Sequence, residues 1–135
     1  MVKTKRMDNL EYIPGDLVTN KYYTKVLIVK KTVKNMVYTQ NRDAFSDTYL
    51  SHKDDVVPML LSPDILEKNG WKKQNKVPIN CTILYNLHNE ITIGYNTNSK
   101  TFVYDFGINK LLRIRFIHQL QHLLFGLGLN SEMEV

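Results

Sequence analysis

The residues of this chain that could do chemistry are a histidine pair, a lone cysteine, two adjacent carboxylates and a run of lysines interleaved with tyrosines. His118 and His122 stand four apart in a segment of helical period, so both rings can project from one face, as in half of a zinc site. A metal needs one or two further ligands, and no acid or cysteine lies at a matching offset beside them. The competing assignment has His118 and Gln119–Gln121 hydrogen-bonding to sheet ends or a loop. No metal is therefore expected, His118 and His122 being weak candidates, and no cofactor. Cys81 alternates with Ile83 and Tyr85, which places it on an apolar strand face where buried structural cysteines sit. Asp54 and Asp55 are neighbours, so in a strand they would point to opposite faces and make a poor acid/base pair. A glycine-rich phosphate loop, a nucleophile elbow and a Cys-x-x-Cys pair are all missing, and an enzyme is not expected.

The lysines carry the clearest electrostatic signal. Of a formal net charge of +5, all of the excess falls in residues 1–41, where eight Lys/Arg face three acids. Residues 42–79 carry six of each sign and residues 80–135 four of each. A one-sided basic patch attracts polyanions. Lys21, Lys25, Lys30, Lys31 and Lys34 alternate with Tyr22, Tyr23 and Tyr38, the composition of a single-strand nucleic-acid surface: charge for phosphates, aromatic faces for bases. Lysines on strand edges also guard against edge-to-edge pairing, and tyrosines also fill cores. The expected partners are thus nucleic acid or, alternatively, a protein or a second copy, with Phe125, Leu129 and the tail near Met133 extending an interface. No membrane partner is expected, since no apolar run approaches the ~18 residues of a span.

The elements that must position these residues suit one α+β domain over residues 1–135. Residues 1–10 read as a loose basic tail. Residues 12–61 open with Pro14-Gly15 and continue in β-branched runs at 25–31 and 33–40, the start of an SH3-like small barrel or curl. Residues 42–55 are polar and aperiodic, a loop with a short strand at Thr48–Leu50; Pro58 then marks residues 56–61 as an edge strand or extended arm. Ser62, Pro63 and Asp64 are three helix-start signals, and Gly70 a left-handed stop, giving a short helix over 62–70 anchored by Ile65, Leu66 and Trp71.

Residues 80–106 form a three-stranded antiparallel meander. Cys81, Ile83, Tyr85 and Leu87 share its apolar face with Ile91, Ile93 and Tyr95, then Phe102, Tyr104 and Phe106; His88-Asn89 and Asn96–Ser99 are the turns. A long C-terminal helix over 109–127, capped by Asn109, is expected to cover this face. Its stripe is Leu112 or Arg113, Phe116, Ile117, Leu120, Leu123, Leu124 and Leu127. A single cysteine excludes an internal disulfide, and the polar start lacks the apolar core of a signal peptide, which points to the cytosol.

Residues 58–71, PMLLSPDILEKNGW, resemble a P-x-x-L-[ST]-x-E-x-L-x-x-x-G-[FW] segment, and residues 115–127, RFIHQLQHLLFGL, resemble a Y-[IV]-H-Q-L-Q-N-L-Y-F-A-L helix. With Gly15-Asp16-Leu17-Val18 matching a G-[ND]-x-V segment, the chain is similar to a family of small proteins, of no assigned function, spread through Bacteroidetes genomes, their mobile elements and phages. The resemblance implies a shared fold, a phage or mobile-element context and the cytosol of a bacterial host; it implies no reaction. This sequence has His122, Leu124 and Gly126 where the family has Asn, Tyr and Ala. Asn at the His122 position argues further against an obligatory metal ligand there.

Overall fold

The turn at Pro14-Gly15 sets the first strand in place. Gly15 takes a φ of +96°, open to glycine, and its N–H donates to the Val29 carbonyl at 2.8 Å. A computed structural model describes residues 11–107 and 110–135. The chain divides into two compact units, one of residues up to Met59 together with Phe116–Glu132, the other of Leu60–Arg115 with Met133–Val135.

The first unit holds β1 (Leu17–Asn20), β2 (Val26–Val33), β3 (Met36–Asn41), β4 (Ala44–His52), a 3-10 turn at Lys53–Asp55 and β5 (Val56–Pro58). These strands pair antiparallel in the order β4-β3-β2-β1-β5, leaving β4 and β5 as edges. The sheet is open, so the barrel closure expected over residues 12–61 is not formed. Period-two alternation buries Val18, Leu27, Val29, Val37 and Val56 in one core, against which Tyr12 and Tyr49 pack. The short strand expected at Thr48–Leu50 within a loop is longer than expected: β4 runs nine residues, Ala44–His52. Its full extent is hidden in the sequence because it is an edge strand with mostly solvated side chains, and a register shift at Gln40/Asn41 breaks its alternation.

The second unit holds α1 (Pro63–Lys68), β6 (Lys72–Lys73), β7 (Thr82–Leu87), β8 (Ile91–Asn96), β9 (Thr101–Gly107) and β10 (Lys110–Ile114). Its sheet follows chain order, β10-β9-β8-β7-β6. The register aligns Ile83 with Tyr95, Tyr85 with Ile93, Leu87 with Ile91, and Phe102 with both Tyr95 and Ile114, which makes one apolar face. Two residues depart from that expected face. Cys81 precedes β7 at a φ of +63° and is exposed, and Phe106 is exposed near the end of β9.

The short helix α1 is built from local signals. Ser62 Oγ accepts from the Ile65 N–H at 3.3 Å, and Pro63 opens the first turn. At the other end Gly70 takes a φ of +91°, and the Trp71 N–H reaches the Leu66 carbonyl at 3.0 Å. Leu66 and Trp71 are buried, and the Tyr85 hydroxyl meets Glu67 Oε2 at 3.5 Å. Asn69 pairs twice with Glu134, through its Nδ2 to the carbonyl and from the amide to its Oδ1, both at 2.8 Å.

The C-terminal helix differs from expectation in length and place. α2 spans Ile117–Gly126, while residues 110–114 form β10; the expected cap Asn109, like the tail at residues 1–10, lies outside the described residues. The Lys-Leu-Leu-Arg-Ile run fits both periods, and cross-strand pairing of Leu112 with Tyr104 and Ile114 with Phe102 decides for strand. Gln119 Oε1 accepts from the Phe116 N–H at 3.0 Å and so starts α2. α2 belongs to the first unit and packs on β1, not to the unit of the strands between 80 and 106; its Ile117 N–H donates to the Met59 carbonyl at 2.8 Å. No helix among the described residues is long and apolar enough to cross a membrane.

Leu66 anchors α1, so Leu66→Ala should lower the unfolding free energy by about 3 kcal/mol, and Ser62→Ala by about 1 kcal/mol. Urea titration followed by Trp71 fluorescence checks both. A Leu66→Ala loss no larger than that of Ser62→Ala would contradict the anchoring role.

Candidate functional site

The eight residues read as one basic and aromatic surface fall into two groups. Lys21, Tyr22, Tyr23 and Lys25 occupy the turn between β1 and β2, whose shape is set by Asn20 Oδ1 accepting from the amides of Thr24 (2.9 Å) and Lys25 (3.2 Å). Tyr22 and Tyr23 are 70% and 73% exposed. The two lysines here are already engaged. Lys21 lies 3.8 Å from Asp55, and Lys25 donates to the Tyr49 hydroxyl at 3.2 Å while standing 4.8 Å from that ring's centre.

Lys30, Lys31, Lys34 and Tyr38 lie at the other end of β2, roughly 20 Å away at about 3.3 Å per strand residue. A bulge puts Lys30 between the Val29–Thr39 and Lys31–Tyr38 pairs, so both lysines stay in solvent. Lys34 makes the hairpin turn at a φ of +54°. Tyr38 pairs with Lys31 on one side and with Leu50 on the other, so the three share the sheet's outer face. The Lys53 N–H donates to the Asn35 carbonyl at 2.7 Å, bringing a fourth lysine to this end. Lys53 was missed because its segment reads as a loop with no fixed neighbour. Among the described residues, no carboxylate forms an ion pair with Lys30, Lys31, Lys34 or Lys53.

A second constellation joins residues far apart in the chain. His122 Nε2 faces both carboxylate oxygens of Asp16, at 2.8 and 3.0 Å, and Asp16 Oδ2 also accepts from the Ile13 N–H at 2.8 Å. A carboxylate only accepts, so the facing Nε2 carries the proton. Next to it, Gln121 Oε1 accepts from the Leu17 N–H at 2.9 Å, and Gln121 Nε2 donates to the carbonyls of Gly15 and Ser131, both at 3.1 Å. Tyr12 packs beside this group, and burial together with the Asp16 charge pushes its phenol up to about 12. His118 is buried among rings: Tyr12 at 5.1 Å, Phe116 at 6.0 Å and His122 at 5.4 Å between centres.

The turn and α2 enclose a cavity of about 250 Å³, bordered by Ile13, Gly15, Asp16, Gln121, His122 and Phe125 among others. His118 and His122 meet edge to face rather than converging on a shared point, and His122 turns its Nε2 to Asp16. Among the described residues, no group of three histidine, cysteine or acidic side chains is arranged to hold a metal. Asp16 was passed over because nothing in a Gly-Asp-Leu-Val stretch names a partner 106 residues on.

The chain matches no family model, and no curated protein or solved structure is significantly similar to it.

Since the usual phenol value is 10.0 and Tyr12 stands at about 12, the folded chain holds this proton where the unfolded chain has lost it. The resulting stability is complete below pH 10.0 and disappears as pH rises through about 12. Ultraviolet titration should show one tyrosine ionising last, in a phase that Tyr12→Phe removes. Asp16→Asn should bring that phase to lower pH. Uniform titration of all tyrosines near 10.0 would contradict the assignment.

Proposed function

We propose that this is a non-enzymatic binding protein of a phage or mobile element, acting in the cytosol of a bacterial host and binding nucleic acid through its N-terminal unit. The carrying observation is the end of β2, where Lys30, Lys31, Lys34 and Lys53 have no ion pair to an acidic side chain among the described residues and surround the exposed Tyr38. Lysines without carboxylate partners are available to displace counterions from a phosphate backbone, and a tyrosine on the same face offers a base something to stack on. The layout of the unit fits an SH3-like module: five antiparallel strands, with a 3-10 turn leading into the last. The first group of lysines supports this reading less, because Lys21 and Lys25 are occupied by Asp55 and Tyr49.

A second reading, a self-associating or host-factor-binding protein, is favoured by one observation. β4 is an edge strand whose Phe45 and Leu50 are both exposed, and an uncovered edge invites another strand. Mass measurement in solution separates self-association from host-factor binding within this reading, since a strict monomer leaves only a hetero-partner for that edge.

Fluorescence anisotropy on labelled single-stranded DNA tests the leading reading. With four lysines on phosphates, log K should fall with log salt at a slope of about −3. Lys31→Ala with Lys34→Ala should reduce that slope by about 1.4 and weaken binding at least about tenfold at low salt. Lys21→Ala should do little. Absence of binding at about 50 mM salt would end the nucleic-acid reading.

A further inference from the structure

The cavity beside Asp16 and His122 has a chemical bias that the lysine surface does not share. Most of its donors are already engaged; the hydroxyl of Ser131, which also borders it, can donate or accept. Gln121 gives its two amide protons to Gly15 and Ser131, the Leu17 N–H goes to Gln121, and the Ile13 N–H goes to Asp16. The Gly15 and Asp16 amides are used by the Val29 and Ile13 carbonyls at 2.8 and 3.1 Å, and Pro14 has none to offer. The acceptors are not exhausted. Each carbonyl has a second lone pair, and the Asp16 carboxylate has more sites than its contacts fill. Among the described residues, no lysine or arginine borders the cavity.

The charge follows the same direction. Asp16 is 2% exposed, so its carboxylate acts through a medium that screens it less than water does. The walls are apolar, from Ile13, Pro14 and Phe125, and Phe125 is 68% exposed, leaving its ring free at the rim. A volume of about 250 Å³ is on the order of eight water shares, the scale of a single long side chain rather than a nucleotide.

We propose that this cavity binds an alkylammonium or alkylguanidinium group, its cation directed to Asp16 and the His122 ring and its aliphatic stem lying along Ile13, Pro14 and Phe125. A cation over the Phe125 face adds an attraction that an anion would not have. A small amine and the lysine or arginine side chain of a partner share this chemistry. The proposal is independent of nucleic-acid binding, since the cavity and the lysines at the end of β2 have no residue in common.

Amide NMR titration of the intact protein with n-butylamine, butyrate and the peptide Gly-Lys-Gly tests the proposal. Expected are saturable butylammonium-induced shifts centred on Gly15, Asp16, His122 and Phe125, with butyrate inert. Tighter binding of Gly-Lys-Gly than of butylamine assigns the site to a protein side chain, and the reverse order to a small amine; either order supports a cation site. Asp16→Asn should weaken the amine at least tenfold. If that variant does not fold, the solvent-facing change Phe125→Ala decides, and should weaken it at least threefold. Butyrate binding as well as butylamine, absence of saturable shifts with either cation, shifts centred elsewhere, or unchanged affinity in the deciding variant would each overturn the proposal.

Discussion

One side chain holds the first unit to its topology. Gln121 uses its carbonyl oxygen and both amide protons on backbone groups of residues 15, 17 and 131, the first two more than a hundred positions away in the chain. A buried backbone group left without a partner costs about 1–3 kcal/mol, so α2 cannot leave this turn without orphaning several groups at once. Apolar burial alone is non-directional and would accept the stripe of Ile117, Leu120 and Leu124 against many surfaces. The amide of Gln121, with the adjacent His122–Asp16 contact, is what selects the Gly15–Leu17 segment.

That constraint explains which parts of the fold were legible. Ser62, Pro63 and Gly70 declare α1 because capping, a proline-compatible first turn and a left-handed stop are all local, and their hydrogen bonds form within a few residues. The apolar alternation of Ile83, Tyr85, Ile91, Ile93 and Phe102 was readable for the same reason: period two needs no knowledge of the partner strand. Lys110–Ile114 was not readable, because adjacent leucines satisfy either period and only pairing with β9 chooses between them. Only Thr48–Leu50 of β4 was legible, the rest of the strand being hidden by its own solvation. Cys81 was misplaced by one residue, since the strand begins at Thr82 and the positive φ at Cys81 turns it out to solvent.

Function is unevenly legible for a related reason. Charge can be counted along a chain, and the excess of lysine in the first third was visible at once. Its distribution in space was not, because an eight-residue strand carries its two ends apart and a bulge at Lys30 decides which lysines stay in solvent. The acceptor-lined cavity was still less visible. It exists only where the Pro14–Asp16 turn meets the Gln121–Phe125 stretch of α2, and neither segment by itself shows that the other lies beside it.

The claim that Gln121 locks the turn to α2 is tested most directly by hydrogen exchange at the Leu17 amide, compared between the native chain and Gln121→Leu. If Gln121 is the lock, Leu17 in the native chain exchanges as slowly as the central amides of β2, and the substitution speeds it about tenfold or more. A Leu17 amide that exchanges freely in the native chain, or that is indifferent to Gln121→Leu, would contradict it.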